Sequence, residues 1–252
     1  QLAWHHVHNE AFRRLEGIPA TVRVDNERTA VSRGAGAWGV INPRYRCFAK
    51  TLRFHIDACP PRSPGHKGKI ERGNRDDRRW REIRQRHWDG LAELQAWTDA
   101  QGLREDARRR CPATGTSVLE AWEAEKRFLA PLPPLPEPFD VAVTRPVSLD
   151  GLVAFEGRQY TVPFAWVGLR VEVRGCAQVV QVLAEGQVVA EHPRHGRALL
   201  VLDPACYEGP STARVVAPPP LGRMGRRLQE IAAMPPSQRP LDLYAALAEV
   251  AR

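Results

Sequence analysis

Two carboxylates in this chain are spaced so that they could work together. Asp25 closes the run Ile18-Pro-Ala-Thr-Val-Arg-Val24, where Ala20, Val22 and Val24 alternate with Thr21 and Arg23. That alternation is the pattern of a half-buried strand. A carboxylate just past the C-terminal end of such a strand stands where open α/β sheets place their ligands. Glu71 follows at 71 − 25 = 46 positions, room for a helix and a strand to fold back. Together the two acids offer oxygen ligands to a divalent cation, with a phosphate completing the shell. Each alone also has a plainer reading. Asp25 can be a turn former at a strand end, and Glu71 an ordinary ion-pairing residue on a basic surface helix.

The elements around Glu71 bear on that choice. Cys59-Pro60-Pro61 is a turn that no helix interior accepts. The glycine-rich segment Gly65-His66-Lys67-Gly68-Lys69 follows, and then a helix is expected from Lys69 to about His87. From Arg62 to Arg86 there are ten Lys/Arg and four Asp/Glu, a local charge of 10 − 4 = +6. Glu71, Asn74, Arg75 and Arg78 fall at i, i+3, i+4 and i+7 and so share one helical face. A ligand carboxylate, an amide and two guanidiniums on one stripe form a plausible surface for a metal and a phosphate. Ile70, Trp80, Ile83 and Trp88 supply the packing side.

The ordered set Val24-Asp25-Asn26 with Ala30-Val31, Asn42-Pro43-Arg44-Tyr45, and Pro64-Gly65-His66-Lys67-Gly68-Lys69-Ile70-Glu71-Arg72 resembles the DDE transposase and integrase superfamily. It most resembles the IstA-type transposases of bacterial insertion sequences, over essentially the whole chain. The resemblance implies a fold of class α/β plus β: a partial RNase H-like integrase core with following helices, then a small Mu-transposase-type β-barrel and C-terminal helices. It implies three carboxylates on two Mg²⁺ (or Mn²⁺) ions, with Asp25 matching the second and Glu71 the third. The first acid of such cores lies on an early strand. Only one helix and one strand precede Asp25, so the chain is expected to lack that acid and to correspond to the C-terminal part of a transposase. Lys67, Lys69, Arg72, Asn74, Arg75 and Arg78 are the expected DNA contacts, chiefly to phosphate. A helper AAA+ ATPase and a homo-oligomer on DNA are further implications. Two other readings stay open: a non-catalytic DNA-binding remnant, and a metal-dependent nuclease of RNase H type.

Composition agrees with a nucleic-acid partner without specifying it. The 252 residues carry 37 Lys/Arg and 29 Asp/Glu, a net +8 at neutral pH. A basic balance favours acidic partners but says nothing about fold. No apolar run is long enough to span a membrane, and the start is not of signal type, so a cytoplasmic protein is expected. Five scattered cysteines without a C-x-x-C pair read as reduced thiols rather than a zinc site.

Along the chain, residues 3–16 read as a helix with Trp4, Val7, Ala11, Phe12 and Leu15 on one face and His5, His6 and His8 solvated around its start. Residues 26–41, rich in glycine, read as an irregular loop beside the site. Asn42 suits a helix N-cap and Pro43 the first turn, with Tyr45, Phe48, Ala49 and Leu52 facing inward. Residues 1–130 are thus expected to be the core with a helical extension. The run 131–138, Pro-Leu-Pro-Pro-Leu-Pro-Glu-Pro, is expected to be a linker of polyproline II type. A barrel of about five strands is expected over 139–200, with hairpin turns at Glu156-Gly157 and Glu185-Gly186. Its arginines, Arg158, Arg170, Arg174, Arg194 and Arg197, are either DNA contacts or scattered surface charges. Residues 201–252 are expected to be a tail with helices.

Overall fold

The computed structural model describes residues 1–60 and 82–218, and within them two compact units form. The first joins Gln1–Thr144 to Glu172–Gly196; the second joins Arg145–Val171 to the residues from Arg197 onward. Sheets and helices are mixed, and among the described residues the first unit has one four-stranded sheet and the second one of three strands.

The first unit begins with helix α1, Leu2–Leu15, which ends where Glu16 takes a left-handed conformation. Its inward stripe is His5, Asn9 and Phe12, while Val7 lies 61% exposed. The helix is therefore rotated from the purely apolar face, because the side chains waiting for it are aromatic rings. His5 stacks on Phe48 at 4.3 Å and meets Phe139 at 4.7 Å. After α1 comes the short strand β1, Gly17–Ile18. A Cβ on Gly17 would lie 2.8 Å from Leu129 Cβ and 2.9 Å from the Ala130 carbonyl, so only glycine permits that approach.

Strand β2, Thr21–Val24, runs parallel to a later strand, His55–Ala58. Between them the expected loop is instead a hairpin. Strands β3, Val31–Arg33, and β4, Val40–Ile41, pair antiparallel across a 3-10 turn at Gly36–Trp38. The glycines that looked like slack are what let the chain reverse here. Helix α2, Pro43–Leu52, then starts as expected: Asn42 Oδ1 accepts the Arg44 N–H, and Pro43 occupies the first turn. Tyr45, Phe48, Ala49 and Leu52 are all buried. Strand β5, His55–Ala58, completes the parallel pair.

Past residue 81 a short helix α3, Glu82–Gln85, precedes α3's longer successors, α4 at Leu91–Arg108 and α5 at Val118–Lys126. Ser117 and Glu120 form a reciprocal capping box at the start of α5. Ion pairs Arg14–Asp99 and Lys126–Glu16, both 3.3 Å, join this helical pair to α1 and the residue that ends it. Strand β6, Ala130–Pro131, pairs antiparallel with β1. The proline-rich run beyond it lies along α1: Asn9 Nδ2 donates to the Pro136 carbonyl at 2.8 Å, and Leu135 packs on the core.

The strand-rich part is divided between the two units. Strands β7 (Phe139–Pro146), β10 (Arg170–Cys176), β11 (Val179–Ala184) and β12 (Gln187–Pro193) form the sheet of order β12-β11-β10-β7. Phe139 and Cys176 from this sheet belong to the same buried cluster as Phe12, Tyr45 and Phe48. In the second unit, β8 (Leu152–Phe155) and β9 (Arg158–Thr161) form a hairpin, and β13 (Leu200–Val201) pairs parallel to β9. Val153, Phe155, Tyr160, Val162 and Phe164 fill its interior. Both expected turns occur, with positive φ at Glu156-Gly157 and Glu185-Gly186. Neither sheet closes on itself among the described residues, so these strands are two open sheets rather than the closed barrel expected.

Candidate nucleic-acid interface

Asp25 follows β2 directly, at the C-terminal edge of the β2/β5 pair. The backbone there is held on both sides. Cys59 N–H donates to the Val24 carbonyl at 2.9 Å, and Asn26 Nδ2 donates to the Cys59 carbonyl at 2.9 Å. Asp25 Oδ1 accepts the Asn26 N–H at 2.7 Å, and the residue is half-buried. Asn26 Oδ1 in turn accepts the Gly36 N–H at 3.0 Å, which ties the β3–β4 turn to this edge. The strand end, the turn and the entry to the following segment are thus fastened around one carboxylate. Glu71 and the expected DNA contacts Lys67, Lys69, Arg72, Asn74, Arg75 and Arg78 lie outside the described residues. Among the described residues no group of three or more His, Cys, Asp or Glu is placed to hold a metal ion.

Past Glu27, which is exposed two residues after Asp25, the chain turns strongly basic. From Arg28 to Ile56 the sequence has Arg28, Arg33, Arg44, Arg46, Lys50 and Arg53 and no Asp or Glu. All six are exposed. The composition of this stretch was readable from sequence, but it stands out only once β3, β4 and α2 are seen to follow Asp25 directly.

The histidines near the start are not solvated as expected, apart from exposed His6. His5 is fully buried and its pKa falls to about 3, chiefly because burial disfavours its charged form, with His8 adding to the effect. His8 donates from Nδ1 to the Trp4 carbonyl at 2.8 Å, and its Nε2 accepts from the Tyr45 hydroxyl at 2.9 Å. Burial lowers its pKa as well, and raises that of Tyr45. These rings pack among Tyr45, Phe48 and Phe54, and the His8 nitrogens are taken up by internal hydrogen bonds.

Two of the five strand arginines are also internal. Arg174 is buried, donates to Glu172 at 2.5 Å and to Thr51 Oγ1 at 2.9 Å, and lies over the Phe139 ring at 4.7 Å. Arg194 pairs with Asp140 at 2.8 Å and donates to the Cys176 carbonyl at 2.7 Å. Neither is available to DNA, whereas Arg170 and Arg197 are exposed. All five cysteines are free thiols. Burial first, and Glu172 second, pushes Cys47 up to about 11, so it is no nucleophile near neutral pH.

Residues 132–202 match the family model of the Mu transposase C-terminal domain. The chain is 34% identical to the transposase for insertion sequences IS1326/IS1353 of Pseudomonas aeruginosa, over 74% of this chain and 37% of that protein. It is 31% identical to a transposase of Aminobacter aminovorans over 74% of this chain and 37% of that one. With the transposase for insertion sequence element IS21 of Pseudomonas aeruginosa it shares 29% identity, over 72% of this chain and 47% of the relative. The chain is a relative of insertion-sequence transposases, as its motifs suggested, and it spans less than half the length of these relatives. No helix among the described residues is long and apolar enough to cross a membrane.

Proposed function

We propose that this chain serves DNA transposition, as part of an enzyme that cleaves DNA and transfers strands at the ends of an insertion sequence. The observation that carries this is Asp25, held at the carboxyl edge of a parallel strand pair, with six exposed cations and no acid from Arg28 to Ile56, in a relative of transposases. On this reading the β2/β5 pair and α2 are part of an RNase H-like core, and the strands after 139 belong to a C-terminal domain of Mu transposase type. The division proposed along the sequence is core 1–130, linker 131–138, strand domain 139–200 and tail 201–252; the family match over residues 132–202 runs through nearly all of the linker and all of the strand domain, and in packing Glu172–Gly196 joins the first unit.

Asp25 fits a hard divalent cation by donor type, being a carboxylate oxygen fixed at a strand end. Asp25 and Glu71 would hold Mg²⁺ or Mn²⁺, which when bound supplies charge stabilisation to phosphoryl oxygens. The chain's own contribution is positional. Asn26 fixes the backbone beside Asp25, and the cations hold the DNA backbone. Lys67, Lys69, Arg72, Asn74, Arg75 and Arg78 add to that hold. A helper AAA+ ATPase and a homo-oligomer assembled on DNA belong to the same proposal.

The test has two arms. DNA binding by the chain should be largely independent of sequence and weaken steeply with salt, because each phosphate contact releases counterions. Asp25→Asn and Glu71→Gln, placed in a polypeptide of the relatives' length, should abolish metal-dependent joining of insertion-sequence ends while leaving DNA binding intact. A salt-independent affinity would refute the phosphate interface. Joining by either variant would refute the assignment of the acids.

A further inference from the structure

The β3–β4 hairpin presents one large ring to solvent. Trp38 is 94% exposed, although a tryptophan commonly buries roughly 150–250 Å². The turn that carries it is firmly built. Gly36 is buried and donates its N–H to Asn26 Oδ1, and Gly39 N–H closes the turn on the Gly36 carbonyl at 2.9 Å. Gly34 takes φ +74°, and a Cβ on Gly39 would lie 2.9 Å from Val31 Cγ1 and 3.0 Å from the Gly36 carbonyl. The turn also packs against β5. The ring is thus held outward on a fixed backbone, and only its own side-chain torsions are lost when something stacks on it.

What would stack is indicated by the surroundings. Ser32, Arg33 and Gly34 beside it are exposed, and Val40 is the one other exposed large apolar side chain of the hairpin. That is too little apolar surface for a protein interface core. The stretch from Arg28 to Ile56 instead combines six exposed cations and no acid with this outward indole ring. Cations that track a backbone, with an aromatic platform for a base, are the means by which single strands are held without regard to sequence. We propose that Trp38 stacks on an unpaired base of a DNA strand lying over this cationic stretch, beside the Asp25 edge to which the turn is tied through Asn26. The proposal rests on the DNA-binding reading above.

Fluorescence anisotropy of the full chain with a labelled oligo-dT strand and with a blunt duplex tests it. Trp38→Ala should weaken single-strand binding by about fivefold or more. Trp38→Phe should retain most of that affinity, and the blunt duplex should be little affected by either change. Arg33→Ala should weaken both ligands and lower the salt slope by roughly one unit. A 5-iodouracil in the single strand should crosslink to Trp38. Unchanged single-strand affinity in Trp38→Ala, or an equal loss on both ligands, overturns the stacking role. If Arg33→Ala is then still weakened, DNA binding stands without base stacking. If the wild-type chain binds neither ligand, the DNA reading fails and this proposal with it. Binding of an acidic protein at Trp38 in place of DNA would have the same meaning.

Discussion

His5 shows how far a single side chain can depart from its usual habit. Its ring lies between Phe48 and Phe139, and Gln1 Nε2 is 3.1 Å from its Nε2. Burial lowers its folded pKa to about 3, well below the value near 6.5 that it has when unfolded. The unfolded chain therefore takes up a proton below pH 6.5 that the folded chain refuses. The stability is fully present above that pH and is lost as pH falls toward 3, at up to about 1.4 kcal/mol per pH unit. His8 shifts the same way and adds to the loss. Thermal melts between pH 7 and pH 4.5 should show a falling midpoint, and His5→Phe should flatten the slope. An identical slope in His5→Phe would show that other groups control it. Nothing in the residues around position 5 announces this environment, because Phe139 lies 139 − 5 = 134 positions away.

Local elements follow local rules, and these were legible. The Asn42 cap with Pro43 and the inward face Tyr45, Phe48, Ala49 and Leu52 could be read directly, since a cap and a 3.6-residue period need only neighbours. The turns at Glu156-Gly157 and Glu185-Gly186 were readable for the same reason. Asp25 was legible because a strand end is a sequence event. The hairpin β3–β4 was not, because its strands are two or three residues long and its glycines signal a break without saying what resumes. Arg174 and Arg194 were not, because a charged residue becomes internal only when partners such as Thr51 and Asp140 arrive from far along the chain. The proline-rich run is a mixed case. Its extended character was evident, but its attachment to α1 through Asn9 was hidden. Asn9→Ala should therefore speed proteolysis within residues 131–138, as a gel time course would report, by freeing a backbone carbonyl now held to the helix. An unchanged cutting rate would mean that Leu135 packing and the β1–β6 pairing hold the segment without Asn9.

At the scale of the molecule, packing does not follow chain order. The first unit takes residues from both sides of the proline-rich run and leaves Arg145–Val171 to the second. A fragment ending at residue 138 keeps α1, α2 and the β2/β5 pair but loses Phe139 and Cys176 from their common core. It should be poorly folded, with weak amide-proton dispersion and dye binding to exposed apolar surface. A well-dispersed spectrum from that fragment would show that the core closes without its distal part. There is also a consequence in time. Phe48 and Cys176 are 176 − 48 = 128 residues apart. At a synthesis rate of about 5–20 residues per second, the ring waits roughly 6 to 26 seconds for the last fully buried member of its cluster to be made. Throughout that interval the nascent chain carries an unfinished aromatic surface. A ribosome-bound chain at that stage is expected to recruit chaperones that cover apolar surface.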